Sequence, residues 1–203
     1  MTIPKYFISC DWGTTNFRLR LVETNSLKVI EEYRTKQGVR RVYEKFTLQS
    51  EMNQKDFFSN YLKEQLLEFP KEHQNNIIVI AGMASANIGI QELPYANLPI
   101  NPEKNNLFWK HLTLENGLNI LLISGVKSEF GMMRGEEVQA IGLADLLKTH
   151  KKGILLLPGT HSKHIIYENS VFTELKTYMT GELFEVLSKK SILKNSVSKN
   201  SWS

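Results

Sequence analysis

Apolar positions recur along the chain with two different periods, and their order predicts a mixed α/β fold. Short alternating segments at about 5–11, 16–23 and 28–35 predict three antiparallel strands. Apolar side chains then recur at helical spacing from residue 54 to residue 69, and Pro70 follows as a stop signal. The unbroken apolar runs at 77–80 and 120–123 predict buried, parallel strands at the centre of the same sheet.

The pattern of the first residues returns in the second half of the chain. A helix is predicted over about 134–147, then strands at 154–157, 163–167 and 171–176, and a helix over 180–187. In residues 189–203, 11 of 15 residues are Lys, Ser or Asn, a composition too polar to complete a sheet. We therefore expect one lobe over residues 1–151, the first elements of a second, incomplete lobe over 152–188, and a disordered basic tail over 189–203.

Each run of three strands opens with a hairpin whose tip is rich in hydrogen-bond donors. The first tip reads Asp11-Trp12-Gly13-Thr14-Thr15-Asn16 and the second reads Pro158-Gly159-Thr160-His161-Ser162. Glycine lets the backbone approach an anion, and successive N–H groups at a turn form an anion-binding nest. Either tip alone is also typical of an ordinary hairpin, but two such tips could hold one polyphosphate from both sides.

The carboxylate of Asp11 refines this prediction. It would repel a phosphate unless a divalent cation lay between them, and proteins commonly hold Mg²⁺ by one or two carboxylates together with phosphate oxygens. Asp11 followed by Gly13, Thr14 and Thr15 therefore indicates a site for a Mg-nucleotide.

Composition and charge exclude several other classes of protein. The 203 residues are 41% hydrophobic and 23% charged, as in ordinary globular proteins. The net charge of +4 equals the four lysines of residues 189–203, so the remainder of the chain has no basic field for nucleic acid. No apolar run approaches the ~20 residues of a membrane span, and the single cysteine, Cys10, lies within a predicted strand. We expect a cytoplasmic protein without disulfides.

Five sequence blocks together resemble the 2-dehydro-3-deoxygalactonokinase family, which is part of the actin-like ATPase and sugar kinase superfamily. These blocks are residues 11–15, 81–83 with 92–95, 133–137, 157–163 and 179–184, in the family's order. The resemblance implies a ribonuclease H-like, actin-type ATPase lobe with strands and helices in the order βββαβαβα, followed by the first βββα of a second lobe.

The resemblance also implies an activity. It is the ATP-dependent phosphorylation of 2-dehydro-3-deoxy-D-galactonate at its 6-hydroxyl, in galactonate breakdown. Asp11 would organise Mg²⁺, and Gly13, Thr14 and Thr15 would face the transferred phosphoryl group. The inner phosphates would be held by Gly159, Thr160, His161 and Ser162.

Kinases of this superfamily place a catalytic carboxylate at the start of the helix that follows the last strand of the first lobe. Here the position corresponds to Glu136 or Glu137, and comparison with related sugar kinases favours Glu137 slightly. Acids are also common in the first turn of any helix, because they interact favourably with its dipole. Arg134 beside them could pair with the carboxylate of the substrate or hold one glutamate in orientation.

The sugar acid is expected to contact the loop after the strand at 77–80, since open α/β sheets bind ligands beyond the carboxyl ends of their strands. The residues expected there are Met83, Ala84, Ser85 and Asn87, together with Arg134. Many members of the family have a bulkier Arg and Trp in this stretch, so a related 3-deoxy sugar acid stays open as the substrate.

Two further hypotheses belong to other classes. One is a catalytically incompetent, truncated product, and the other is a non-catalytic nucleotide or sugar-acid binding protein of the same fold. If the second lobe is incomplete, the apolar face of residues 171–187 is uncovered, and self-association through it is expected.

Overall fold

The structure is a computed structural model and describes residues 3–104 and 106–197. The strands are β1 (Tyr6–Trp12), β2 (Phe17–Glu23), β3 (Val29–Thr35), β4 (Ile78–Gly82), β5 (Ala96–Asn97), β6 (Trp109–Thr113), β7 (Asn119–Ile123), β8 (Val126–Lys127), β9 (Met132–Met133), β10 (Lys152–Leu157), β11 (Ser162–Glu168) and β12 (Val171–Tyr178). The α-helices are α1 (Val39–Phe46), α2 (Gln54–Leu66), α3 (Glu136–Leu147) and α4 (Thr180–Lys190).

The largest sheet contains six strands in the order β3-β2-β1-β4-β7-β6. Strands β1, β2 and β3 form the predicted antiparallel meander. Strand β1 pairs in parallel with β4, and β4 with β7, as the unbroken apolar runs predicted. The carboxyl ends of β1 and β4 therefore lie side by side, which is where the first hairpin tip and the loop after β4 begin.

One face of this sheet packs against α1 and α2. Alternate residues of the strands point into that core, and apolar residues of α2 meet them there, because the helix repeats its apolar face every three to four residues. The aromatic centre of the core consists of Trp12, Phe17, Phe58 and Tyr61, whose neighbouring ring centroids lie 4.9 to 5.7 Å apart. This packing fixes the base of the first hairpin.

The second half of the chain forms a three-stranded antiparallel sheet in the order β10-β11-β12. One of its faces packs against α3 and against a small sheet of order β5-β8-β9. Ser128 Oγ donates to the carbonyl of Leu175 at 2.9 Å, and Thr177 Oγ1 donates to the carbonyl of Met132 at 3.1 Å. These contacts join the second sheet to the remainder of the chain.

Several elements differ from the sequence-based expectation. Helix α1 was not predicted, and α2 ends at Leu66 rather than at residue 69. The segment between the strands predicted at 77–80 and 120–123, for which no element was predicted, contains β5 and β6. Helix α4 continues to Lys190 and a short 3₁₀ turn, Ile192–Asn195, follows it within the predicted tail. Residues 198–203 of that tail lie outside the described residues.

Candidate active site at the two hairpin tips

The first hairpin tip rests on the beginning of helix α1. The N–H of Gly13 donates to the carbonyl of Asn16, and the N–H of Gly38 donates to the carbonyl of Thr15, both at 2.9 Å. A Cβ atom on Gly38 would lie only 2.3 Å from the carbonyl oxygen of Thr14, so the close approach requires glycine. Thr14 and Thr15 remain exposed, with their hydroxyl groups available to a ligand.

The second tip rests in the same way on the beginning of helix α4. The N–H of Glu182 donates to the carbonyl of Thr160 at 3.0 Å. A Cβ atom on Gly181 would lie 2.6 Å from the carbonyl oxygen of Gly159. Both tips are therefore held at helix N-termini, whose partial positive charge favours anions.

Side chains of α4 orient the polar groups of the second tip. The ring of His161 donates from Nε2 to Glu182 Oε2 at 2.5 Å, which leaves Nδ1 free to interact with a ligand. The hydroxyl of Ser162 is hydrogen bonded to the hydroxyl of Thr180. These contacts order the side chains that the sequence predicted to bind the inner phosphates.

Asp11 stands at the carboxyl end of β1, and its side chain is 44% exposed. Its charged neighbour across the β1–β2 ladder is Arg18, whose Nη1 lies 3.8 Å from Asp11 Oδ2. No group of three or more metal-binding side chains occurs within residues 3–104 and 106–197. A divalent cation bound at Asp11 would therefore be completed by phosphate oxygens and water, and an accessible single carboxylate fits that arrangement.

Two glycines bring the beginning of α3 to the first tip. Gly82 at the end of β4 has a φ of +102°, and a Cβ atom there would lie 2.6 Å from the carbonyl oxygen of Trp12. Gly135, with a φ of +109°, precedes α3 and packs against Gly82, its hypothetical Cβ only 3.2 Å from Cα of that residue. Glu136 therefore lies close enough to Asp11 for the two charges to interact.

The two candidate catalytic glutamates have different environments. Glu137 is 1% exposed, and both its carboxylate oxygens accept from the N–H of Gly135, at 2.7 and 2.8 Å. Burial raises the pKa of Glu137 from 4.5 to about 8. The side chain of Glu136 is 27% exposed and accepts from the N–H of Arg134 at 3.1 Å; burial also raises its pKa. Glu136 thus has the more accessible carboxylate, although the sequence comparison favoured Glu137.

The guanidinium of Arg134 binds the protein itself. Nη1 donates to the carbonyl and to the hydroxyl of Ser85, at 2.6 and 2.9 Å, and Nη2 donates to the carbonyl of Leu93 at 3.1 Å. The guanidinium also lies 3.9 Å from the ring centroid of Tyr95. Arg134 therefore fixes the loop after β4, a role that neither sequence-based alternative included.

The predicted substrate-binding residues fall into two groups. Ala84 and Ser85 belong to a 3₁₀ turn, Met83–Ser85, and are fully buried. Met83 is half-buried and Asn87 is exposed. Within this loop, Met83 and Asn87 are thus accessible to a ligand, whereas Ala84 and Ser85 shape the backbone.

Lys163 is a residue of this site that the sequence analysis quoted only within a motif. It is 5% exposed, and its Nζ lies 3.9 Å from Glu136 Oε1. Burial lowers the pKa of this ammonium group. Alternate residues of β11 point inward, and these are Lys163, Ile165 and Tyr167. This alternation is the sequence signal that could have predicted a buried Lys163.

The strand order, the mixed strand directions and the repeated hairpin on a helix N-terminus define the class of this protein, a mixed α/β chain with the actin-like ATPase fold. The family model described as 2-keto-3-deoxy-galactonokinase matches residues 11–203. The chain belongs to this family.

Curated relatives agree with the family match. The chain is 28% identical over 191 residues to the 2-dehydro-3-deoxygalactonokinase of Escherichia coli (strain K12), covering 92% of this chain and 58% of that protein. It is 29% identical over 200 residues to a Rhizobium meliloti (strain 1021) protein named probable 2-dehydro-3-deoxygalactonokinase, covering 97% and 61%. The chain thus spans about three fifths of the length of these relatives.

A solved structure is similar over the same extent. The crystal structure of a Sinorhizobium meliloti protein, provisionally named a 2-dehydro-3-deoxygalactonokinase, superposes with a TM-score of 0.74 at 26% identity. The match covers 97% of this chain and 62% of that protein.

Among the described residues, no helix combines the length and the apolar character that crossing a membrane requires.

Proposed function

We propose that this chain acts in an ATP-dependent sugar-acid kinase that phosphorylates the 6-hydroxyl of 2-dehydro-3-deoxy-D-galactonate in galactonate breakdown. The observation that carries the proposal is the pair of donor-rich tips, each of which packs against a helix N-terminus. The first tip begins with Asp11, whose carboxylate is accessible. Membership of the 2-keto-3-deoxy-galactonokinase family supports the reaction class.

The two tips would bind different phosphates of the nucleotide. Asp11 would hold Mg²⁺, which supplies positive charge to the phosphates when it is bound. Gly13, Thr14 and Thr15 would face the transferred phosphoryl group. Thr14 and Thr15 would donate to it, since the N–H of Gly13 is bonded to the carbonyl of Asn16. The inner phosphates would bind at the second tip, where Glu182 already orients His161. Preorganised donors of this kind stabilise the charge of the transition state without having to reorganise during the reaction.

Glu136 is the favoured acceptor for the proton of the attacking hydroxyl. The O6–P bond forms as the bond between the γ-phosphorus and its bridging oxygen breaks, and the O6 proton passes to the carboxylate. A raised pKa makes Glu136 a stronger base, and its partial exposure leaves it accessible. Glu137, the alternative, is enclosed and already binds the N–H of Gly135.

The loop after β4 would bind the sugar acid. Met83 and Asn87 would contact it directly, and Arg134 would hold the loop through Ser85. Arg134 remains a candidate for the substrate carboxylate only if binding displaces its guanidinium from Ser85 and Leu93. The choice among related 3-deoxy sugar acids would depend on this loop.

The test is a coupled assay of ADP release with Mg-ATP and a panel of sugar acids, including 2-dehydro-3-deoxy-D-galactonate and its C4 epimer, on this chain and on the E. coli relative. We expect ADP release that requires a 2-dehydro-3-deoxy acid, and a product phosphorylated at O6 by phosphorus NMR. Ligand binding without turnover in this chain alone would favour the non-catalytic alternative, and binding of neither ligand would contradict the proposed site.

The same proposal includes two properties of the whole protein. A cytoplasmic location is consistent with the use of ATP and with a single, buried cysteine, Cys10. Self-association is supported by exposed apolar side chains on β10 and α4, namely Ile154, Leu156, Leu183, Phe184, Val186 and Leu187.

A further inference from the structure

Lys163 is a buried cation whose position in the fold places it beside the proposed reaction centre. Only 7% of its side chain is exposed, and it is the first inward-facing residue after the second tip. Its inward neighbours on β11, Ile165 and Tyr167, are apolar core residues. Lysine is rarely buried unless a partner compensates its charge, because burial disfavours the ammonium form.

The protein groups around this ammonium leave its donors unused. An ammonium group has three N–H donors, yet in residues 3–104 and 106–197 Nζ of Lys163 makes no hydrogen bond. Its nearest carboxylate oxygen, Glu136 Oε1, is 3.9 Å away. The neighbouring carboxylate of Glu137 is bound to the N–H of Gly135. The ammonium is therefore available to a further acceptor.

The charges at this edge of the sheet indicate which acceptor fits. The negative charges of Asp11 and Glu136 interact unfavourably with each other. A nucleotide phosphate entering between the tips would meet these carboxylates, so it requires positive charge from the protein as well as from a metal ion. Lys163 supplies that charge beside Glu136.

We propose that the ammonium of Lys163 binds a phosphoryl oxygen of the nucleotide between the two tips. This makes Lys163 a phosphate-binding residue in addition to Gly159, Thr160, His161 and Ser162, and the inference rests on the kinase function proposed above. Because Nζ also faces Glu136, the same side chain holds the proposed base next to the phosphoryl group that its substrate attacks.

The experiment measures binding of Mg-ATP and of Mg-tripolyphosphate by titration calorimetry in the wild-type chain and in three variants. Lys163→Met should weaken both ligands by about tenfold or more, since a charge-assisted hydrogen bond is lost. Lys163→Arg should retain most of the affinity. Lys152→Met is the matched control, because Lys152 pairs with Glu168 at the opposite end of the same sheet.

The outcomes separate this inference from the proposed function. Normal Mg-ATP binding by both the wild type and Lys163→Met overturns the role of Lys163 and leaves the kinase proposal intact. If the wild type binds neither ligand, both proposals fail. Lys163→Met removes one partner of a largely buried ion pair and is expected to lower stability, so its folding is checked by circular dichroism before the titration. A direct readout needs no variant: the ¹³Cε resonance of Lys163 should shift on addition of Mg-tripolyphosphate, and an unmoved resonance contradicts the contact.

Discussion

The two hairpin tips share their backbone support and differ in the side chains behind it. Gly38 lies against Thr14 in the first tip, and Gly181 lies against Gly159 in the second. When Gly13 is aligned with Gly159, the two hairpins show the same backbone arrangement, a glycine-containing tip packed against the beginning of a helix. A tip of this kind needs a helix N-terminus beneath it and a glycine where the two backbones meet.

The two hairpins, taken as two copies of one motif, differ at the positions that flank their tips. Asp11 in the first copy corresponds to Leu157 in the second, and Phe17 corresponds to Lys163. Phe17 is completely buried in the aromatic core, whereas Lys163 is buried beside Glu136. One tip therefore carries a carboxylate suited to a metal ion and the other carries an ammonium suited to a phosphate.

The packing beneath the two tips also differs. The first is supported by a thick core that includes Trp12 and Phe17, with their ring centroids 4.9 Å apart. The sheet below the second tip leaves Ile154 and Leu156 exposed on its edge strand. We expect the first tip to be the more rigid of the two.

The largest effect is expected from removing the carboxylate that only the first tip has. Asp11→Asn should reduce kcat/KM of the proposed kinase reaction by about a thousandfold or more, because the metal loses its charged protein ligand. ADP release is the measurement, and Glu31→Gln, an exposed carboxylate on β3, is the control. Retained turnover in Asp11→Asn would remove the metal role from this residue.

The next largest effect is expected in the pH dependence of stability, and it arises from Glu137 at the beginning of α3. Folding raises the pKa of Glu137 from 4.5 to about 8, so the folded state binds its proton more tightly. This contribution to stability is complete below about pH 4.5 and is lost as pH rises through 8. The side chain of Glu137→Gln cannot ionise. Between pH 5 and pH 9 the free energy of unfolding of this variant should therefore fall by about 4 kcal/mol less than that of the wild type.

Urea unfolding at several pH values tests this prediction. The matched variant Glu136→Gln should change the slope less, because Glu136 is more exposed and pairs with Lys163. Parallel pH profiles for Glu137→Gln and the wild type would show that Glu137 is ionised in the folded protein at neutral pH.

The glycines under the tips permit a direct comparison of the two copies. Gly38→Ala should lower the free energy of unfolding by about 3 kcal/mol and Gly181→Ala by about 2 kcal/mol, since each new methyl group meets backbone atoms. Gly142→Ala is the control, because no atom lies within 4 Å of its hypothetical Cβ and α3 favours alanine by up to about 1 kcal/mol. Unchanged unfolding midpoints for both tip variants would contradict the close packing.

The smallest effect on stability is expected at the apolar surface of the second copy. Replacing Leu183 and Phe184 by serine should reduce any concentration-dependent shift in size-exclusion elution, while changing the free energy of unfolding by less than about 0.5 kcal/mol. Leu48→Ser, an exposed leucine of the first half, is the control. An elution volume that is independent of concentration in the wild type would contradict self-association through this surface.

Much of the fold was predictable because its main elements have strong local patterns. The strands at both hairpins, the parallel pair at the centre of the sheet and helices α2 and α4 follow from the pattern of apolar positions. Helix α1 was missed because it is short and has charged residues on its exposed face. Its N-cap residue is Gly38, which has no side chain to cap the helix and so gives no capping signal in the sequence. The two-residue strands β5, β8 and β9 are too short to have a period of their own.

The sequence alone located the two tips, and it predicted anion and metal binding there because glycine, threonine and a lone aspartate at a turn are a local signal. Only the tertiary structure distinguished Glu136 from Glu137, assigned Arg134 to Ser85 and placed Lys163 beside Glu136. These properties depend on burial and on partners 49 and 27 residues away in the chain. Since exposure and electrostatic environment arise from packing between distant segments, no local pattern of residue types encodes them.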